Sequence, residues 1–333
     1  MEQKSSSATL SPGPSARQSV HFLIVGERDA GQRLDCFLAR NLSGFSRSAL
    51  SKLIKSGRVR VDRRTSKAGY RLRSGNSIEV TVPPAPPLSL VPRKIDFPII
   101  HEDDSLLVIS KPPGLVVHPA CGHTEHTLVH GLLHHCSSLP GDDALRPGIV
   151  HRLDKDTSGI MLVAKNEAVL RKLSADFKNR KIHKVYHALL IRAPQVAGGG
   201  ERGRIVEPIS RHPVHRQKMA VRATGGRYAA TRWRLLEAFP GGPVFAELSP
   251  ETGRTHQIRV HMAFLKSPVA GDRLYGGVLP ARLGLKAERQ LLHASRLSFD
   301  HPESGRRMTL SAPLWPDMQI ILERLRAMQN ESP

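Results

Sequence analysis

At 333 residues, the chain is too long for one ordinary core and long enough for a small module beside a large one, so two domains are expected. Fifty Lys and Arg against 29 Asp and Glu leave a net charge of +21 and a pI near 10.7, which points to a polyanionic partner. No apolar run approaches the ~18 residues that span a bilayer, no long basic amphipathic helix suggests a membrane surface, and the three cysteines lack a C-x-x-C pair, which leaves nucleic acid in a reducing compartment.

Met1 to Gln18 is rich in Ser and Pro and has no apolar stretch of the kind a secretory signal needs, so residues 1–19 read as a disordered tail and the cytoplasm is the default location. Val20 to Val25 predicts a short strand. Leu34, Phe37, Leu38, Leu42 and Phe45 recur at helical spacing. Ser46 reads as the N-cap of a second helix carrying Ala49, Leu50, Leu53 and Ile54 and ended by Gly57. Val59 and Val61 begin a strand, Gly69 to Gly75 holds a turn, and Ile78 to Val82 alternates as another strand. Between Gly31 and Val82 there are twelve Arg or Lys and three acids, which sets this segment apart as a basic module over residues 20–82.

Through Arg33-Leu34-Asp35, Ser46-Arg47-Ser48, Leu53-Ile54, Gly57-Arg58-Val59 and Gly75-Asn76, this module resembles the small RNA-binding domain named after ribosomal protein S-four. The resemblance implies a helical face that grips folded RNA by shape and phosphate. Arg33, Arg47, Lys52 and Arg58 are its candidate contacts, and such contacts position an RNA without specifying its sequence. A merely solvated face is the alternative for each of them.

Pro83 to Pro87 cannot continue a ladder and reads as a stiff linker, placed over 83–94. From Ile95 onward short apolar runs dominate: Ile99-Ile100, Leu106 to Ile109, Leu115 to Val117, Ile160 to Ala164 and Val185 to Leu189. Helical spacing appears over Thr127 to Cys136, Glu167 to Phe177 and Asp317 to Met328. Residues 95–333 are therefore expected to form an α+β domain with a largely antiparallel mixed sheet. Gly198-Gly199-Gly200 reads as a flexible loop, because no strand-turn-helix pattern surrounds it.

The strongest chemical signal is His151-Arg152-Leu153-Asp154-Lys155-Asp156-Thr157-Ser158-Gly159, charges of both signs crowded beside an apolar strand. Composition alone leaves catalysis and a structural salt-bridge loop on equal terms. Over these nine contiguous positions the segment resembles the defining motif of the RluA/RluD-type pseudouridine synthases. Lys111-Pro112-Pro113-Gly114, Val117-His118-Pro119, Tyr186 within Lys184 to Leu189, Pro208 to His212, Glu251 to His261, Gly271-Asp272 and Tyr275-Gly276 extend the likeness. The order of modules is most similar to the branch acting on large-subunit ribosomal RNA.

The resemblance implies an isomerase that breaks the glycosidic bond of a uridine, rotates the uracil and rejoins it through a ring carbon, with RNA or an assembling ribosomal particle as partner and no obligate protein partner. The reaction is redox-neutral and moves no phosphate, so no cofactor and no metal are expected. Asp154 would be the essential carboxylate, acting as a nucleophile at the sugar or as a base on a sugar proton. Tyr186 would pack against the base and assist proton removal. Arg254 is the residue expected against Asp154, since a guanidinium fixes a carboxylate's orientation; a phosphate contact is its other reading. Asp156 is expected to brace the loop. Arg152 is placed to fill the stack left by an extruded nucleotide, or else to contact phosphate.

Two other chemistries lose on pattern. His126, His130 and His134 would share a helical face, with His123, His135, Cys121 and Cys136 near, but Leu128, Val129, Leu132 and Leu133 make that helix an ordinary amphipathic one. His123-Thr124-Glu125 is half of a zinc deaminase signature, and the Pro-Cys-x-x-Cys half is absent.

Overall fold

The computed structural model describes residues 19–330 apart from 43, 44, 46, 84–89, 120–122, 142, 144 and 197–198. The tail over 1–18, the Ser46 cap, Pro84 to Pro87 of the linker, Cys121 and Gly198 therefore lie outside the described residues. The chain divides into two compact units, Met1–Ser89 and Leu90–Pro333.

The first unit contains β1 (Ser19–Ile24), α1 (Leu34–Asn41), α2 (Arg47–Lys55), β2 (Val59–Val61), β3 (Arg64–Thr65) and β4 (Ser77–Val82), with sheet order β1-β4-β2-β3. Leu34, Phe37 and Leu38 of α1 and Leu50 and Ile54 of α2 bury against Val59, Val61, Ile78 and Val80. The predicted first helix ends earlier than its apolar spacing: Leu42 turns extended at φ −106° yet stays buried at 7 % exposure. The hairpin between β2 and β3 turns on Asp62 and Arg63, at φ 49° and 64°. Two successive positive φ values make the turn, and neither residue is the glycine by which sequence usually betrays it.

The second unit contains β5 (Ile99–Glu102), β6 (Leu106–Lys111), α3 (Leu128–Cys136), β7 (Ser158–Ala164), α4 (Glu167–Lys178), β8 (His183–Leu190), β9 (Arg202–Val206), β10 (Ile209–Arg211), β11 (Met219–Val221), β12 (Ala230–Ala238), β13 (Val244–Pro250), α5 (Gln257–Phe264), β14 (Leu292–Asp300), β15 (Arg307–Ser311) and α6 (Pro316–Asn330). Nine strands form one sheet in the order β5-β6-β7-β14-β8-β13-β12-β9, with β15 also on β14 and β10-β11 a separate pair. Every pairing in the large sheet is antiparallel except β7 with β14. The fold is the α+β, largely antiparallel mixed sheet that the sequence predicts.

The core explains the apolar runs. Every residue of β6 and β7 is buried, as expected of strands covered on both faces. Leu128 and Leu132 of α3 and Val169 and Leu173 of α4 join Leu106 to Ile109 and Ile160 to Ala164 in one cluster. Asn166 caps α4 by accepting the Val169 N–H at 2.9 Å. The run Leu115 to Val117, grouped with strands on apolar content, is a loop; the Val116 and Val117 carbonyls accept the amides of Leu128 and Val129 at 2.8 and 3.0 Å. Helix α5 is unanticipated, and it packs Ile258 and Met262 on Ala188, Leu190 and Leu248. No helix among the described residues is long and apolar enough to cross a membrane.

Candidate active site

The loop from His151 to Thr157 leads into β7, and its backbone is held at three successive carbonyls. Thr157 N–H donates to Asp154 O at 3.1 Å, Lys111 Nζ to Lys155 O at 2.9 Å, and Arg289 Nη1 to Asp156 O at 2.9 Å. Lys111, wholly buried at the end of β6, gives its other hydrogens to the carbonyls of Pro112 and Leu115 at 2.7 and 2.9 Å. Burial pulls its pKa down to about 7 against the opposing influence of Asp156. At the loop's entry the His151 ring stacks on Phe177 at 4.6 Å, and its Nε2 accepts the Leu162 N–H at 2.9 Å. Burial takes His151 down to about 3, so the imidazole is neutral and structural. At the exit Gly159, φ 113°, pairs with Ala294 so closely that a Cβ would sit 2.2 Å from the Ala294 carbonyl oxygen. Only glycine fits there.

This scaffold presents Asp154 on the wall of a cleft of about 1050 Å³. Its Oδ2 accepts from Arg259 Nη1 at 2.9 Å, and His256 Nε2 lies 3.9 Å away. Arg259, the third residue of α5, is itself locked: Nε and Nη2 donate to the two oxygens of Asp272 at 2.6 and 2.9 Å. Asp272 is fully buried, and its Oδ1 also accepts the amides of Leu274 and Tyr275 at 3.0 and 3.2 Å. Burial alone would ease Arg259 toward neutrality, but Asp272 and Asp154 hold its pKa well above the ordinary value. The Tyr275 ring lies 5.2 Å from the Arg259 guanidinium. His256, in the left-handed region at φ 55°, turns its Nδ1 to the Tyr275 hydroxyl at 3.0 Å, and burial pushes its pKa below the usual histidine value against the pull of Asp154. A carboxylate is thus aimed into the cleft by a guanidinium with no rotational freedom left.

The residue on Asp154 is therefore Arg259, where the sequence reading placed Arg254. Arg254 turns away: its Nε donates to Tyr228 O at 3.0 Å, and its backbone N–H donates to Gln257 Oε1 at 3.0 Å. Gln257 also accepts from Thr252 Oγ1 and donates to Ala230 O and Thr231 Oγ1, so all its polar capacity is spent fixing the loop that precedes α5. The helix then sets which arginine faces which wall. Arg259 stands within the quoted Glu251 to His261 motif; the buried pairing with Asp272 is its distinguishing mark, and only the fold displays it.

Tyr186, on β8, lines the same cleft, and burial followed by the negative Asp154 raises its phenol well above the ordinary range. Arg152 also lines the cleft, is exposed, and has no ion-pair partner among the described residues. Asp156 contributes its carbonyl to the brace described above. In the first unit, Arg33 and Arg47 both clamp Asp35, at 3.0 and 2.7 Å, and these bonds, Arg33 first, pull its carboxyl to about 2. Both guanidiniums remain about half exposed at 45 % and 55 %, so each has donors left for a ligand. Lys52 and Arg58 have no ion pair among the described residues and are the freer cations of the predicted four.

The predicted histidine face does not form a ligand set. His126 precedes α3, and buried His130 turns its Nδ1 to the Thr127 hydroxyl at 2.7 Å. Among the described residues the one group with ligand spacing is Glu102, His135 and Cys136, and Glu102 is already occupied by His135 at 2.8 Å and Lys165 at 3.0 Å.

Residues 105–264 match the family model described as RNA pseudouridylate synthase, and residues 32–78 match the S4 domain. Among solved structures, human RNA pseudouridylate synthase domain containing 4 superposes with a TM-score of 0.55 at 28 % identity, covering 69 % of this chain and 93 % of that one. The chain belongs to the RNA pseudouridylate synthase family of isomerases and carries an N-terminal S4 domain. In particular, it is 44 % identical to the ribosomal large subunit pseudouridine synthase D of Xanthomonas campestris, over 92 % of this chain and 93 % of the relative. It is 43 % identical to the protein of the same name in Neisseria meningitidis over 89 % and 79 %, and 40 % identical to an uncharacterized RNA pseudouridine synthase, YlyB, of Bacillus subtilis over 91 % and 97 %.

Proposed function

We propose that this chain converts uridine to pseudouridine in large-subunit ribosomal RNA in the cytoplasm, with Asp154 as its one reacting carboxylate. The observation that carries the reading is the Asp154 oxygen held at 2.9 Å by Arg259, itself fixed by both oxygens of Asp272, at the wall of a cleft of about 1050 Å³. The names of the two large-subunit relatives support the substrate, and the net charge of +21 suits a polyanion.

The uracil of a cleaved glycosidic bond leaves as a stabilised anion, so no second carboxylate is needed as the acid that glycosidases employ. As the bond from the sugar to the uracil nitrogen breaks, Asp154 supplies electrons at the sugar, either by bonding to the anomeric carbon or by taking the proton from the adjacent sugar carbon. That bond or proton is given back when the ring carbon joins the anomeric carbon, after which the ring carbon loses its proton and the freed nitrogen takes one up. Tyr186, whose phenol is raised above the ordinary range by burial and by Asp154, contributes a ring that confines the rotating base and assists removal of the ring-carbon proton. The chemistry is redox-neutral and transfers no phosphate, so it calls for no organic cofactor. Arg152, exposed on the cleft lining and without an ion-pair partner among the described residues, replaces the extruded nucleotide in the stack.

Incubation with transcripts of large-subunit ribosomal RNA, small-subunit ribosomal RNA and transfer RNA, followed by pseudouridine mapping, tests this. Product confined to the large-subunit transcript is expected; no product on any transcript, or equal product on all, contradicts it. Deuterium at the adjacent sugar carbon slows the single-turnover rate if Asp154 takes that proton and leaves it unchanged if Asp154 bonds to the anomeric carbon.

A further inference from the structure

Arg180, Arg227, Arg232 and Arg254 are among the residues that line the cleft, and they divide into two kinds. Arg232 is paired with Glu251 at 2.7 Å, and Arg204, which is not part of the lining, shares that carboxylate at 2.8 Å. Arg180, Arg227 and Arg254 also line the cleft, and none of them has an ion-pair partner among the described residues. They converge on Tyr228: the Arg180 guanidinium lies 5.6 Å from its ring centroid, Arg254 Nε donates to its carbonyl at 3.0 Å, and Arg227 precedes it in the chain. Burial lowers the pKa of Arg254, and the like charges of Arg227 and then Arg180 lower it further.

Arg180 is held there against backbone preference. It follows α4 in the left-handed region at φ 60°. Its N–H reaches Phe177 O at 3.3 Å, and Lys181 N–H reaches Asp176 O at 2.9 Å. That pair of bonds is the Schellman ending of a helix, whose left-handed position is usually glycine. An arginine at that position is strained, and the strain is borne at the cleft wall, where its guanidinium lies over the Tyr228 ring. Like charges gathered without counter-ions on a concave wall lower the free energy of a bound anion more than they stabilise the empty protein.

We propose that Arg180, Arg227 and Arg254 form a phosphate-binding site that grips the single-stranded RNA backbone flanking the uridine presented to Asp154. The proposal rests on the RNA-modifying reading above and deepens it, giving Arg254 a ligand in the substrate. The three cations bind phosphodiester oxygens, whereas Arg232 is held by Glu251.

The test uses the full-length chain carrying Asp154→Asn and measures affinity for a labelled nine-nucleotide oligouridylate across a potassium chloride series. Single-strand binding loses about 0.7 from the log–log salt slope per phosphate contact removed, so the triple variant Arg180→Gly, Arg227→Gln, Arg254→Gln should lose about 2. Arg204→Gln should leave the slope in place. Arg180→Gly alone should weaken binding while its melting midpoint stays level or rises, because glycine suits the left-handed position. Arg254→Lys, which loses the bond to Tyr228 but keeps the charge, should retain the slope that Arg254→Gln loses. An unchanged slope in the triple variant, or an equal loss in Arg204→Gln, overturns the proposal. Affinity is read without turnover, so a chain that binds through these residues yet makes no pseudouridine refutes the reading of Asp154 and leaves this site standing.

Discussion

Asp154 depends on a chain of two ion pairs, and that chain decides how substitutions divide. Arg259→Lys keeps a cation but cannot span Asp272 and Asp154 together, so the carboxylate loses its aim. Misplacement on the order of 1 Å costs about a hundredfold in rate, and we expect a fall in kcat of about that size. Arg259→Met further leaves Asp272 buried and uncompensated, and should destabilise the fold by about 3–5 kcal/mol in urea unfolding. Arg254→Gln should instead act mainly on KM. Equal kcat losses at positions 254 and 259 would restore Arg254 to the place the sequence suggested. Arg152→Ala should slow reaction on a structured stem and spare an unpaired oligonucleotide; an unchanged rate on the stem removes the wedge role. That Asp154, Tyr186 and Arg152 share one cleft was legible because a contiguous motif and a short strand motif carry them. Arg259 was not, because its role is defined by Asp272, thirteen positions along the chain and brought close by folding.

At the scale of the element, α5 explains the same miss. Gln257 to Met262 are all buried, with polar Gln257, Arg259 and His261 among them, so the helix has no solvated polar face to set off an apolar stripe. Its N-cap is a left-handed histidine without a capping side-chain bond, which removes the other usual signal. By contrast α3, α4 and α6 have polar sides, and their limits were legible to within two residues. The junction of β7 with β14 is the element the site most needs. Gly159→Ala there would force a left-handed φ on alanine and a contact with the Ala294 carbonyl. We expect a loss of stability of about 1–3 kcal/mol from the backbone alone, with activity falling more steeply because the Asp154 loop enters the sheet at that point. A variant with wild-type melting and wild-type turnover would show that the junction does not position the loop.

At the scale of the whole molecule, composition announced two modules and a polyanionic partner, and apolar patterning announced an α+β class. It left strand order hidden, since β7 and β14 meet across more than a hundred residues, and nothing local in either strand names its neighbour. The charge excess also shapes acid tolerance. Asp35 is pulled to about 2 by Arg33 and Arg47, and Glu251 to about 2 by Arg204 and Arg232. Both are depressed in the fold, so their stabilisation is complete above the unfolded carboxylate range near ~4 and is lost as pH falls toward 2. Melting midpoints should drop over that window, and Asp35→Asn should shallow the drop; an identical curve for the variant would show that the Arg33–Asp35–Arg47 clamp contributes nothing.

The central claim is that Asp154 performs the isomerisation. Joining uracil through its ring carbon expels the hydrogen on that carbon, so tritium placed there in large-subunit ribosomal RNA is released to water once per turnover. Single-turnover release by the wild-type chain, with none from an Asp154→Asn variant that still binds the same RNA, is the predicted result. Release from the variant at a rate near wild type would contradict it.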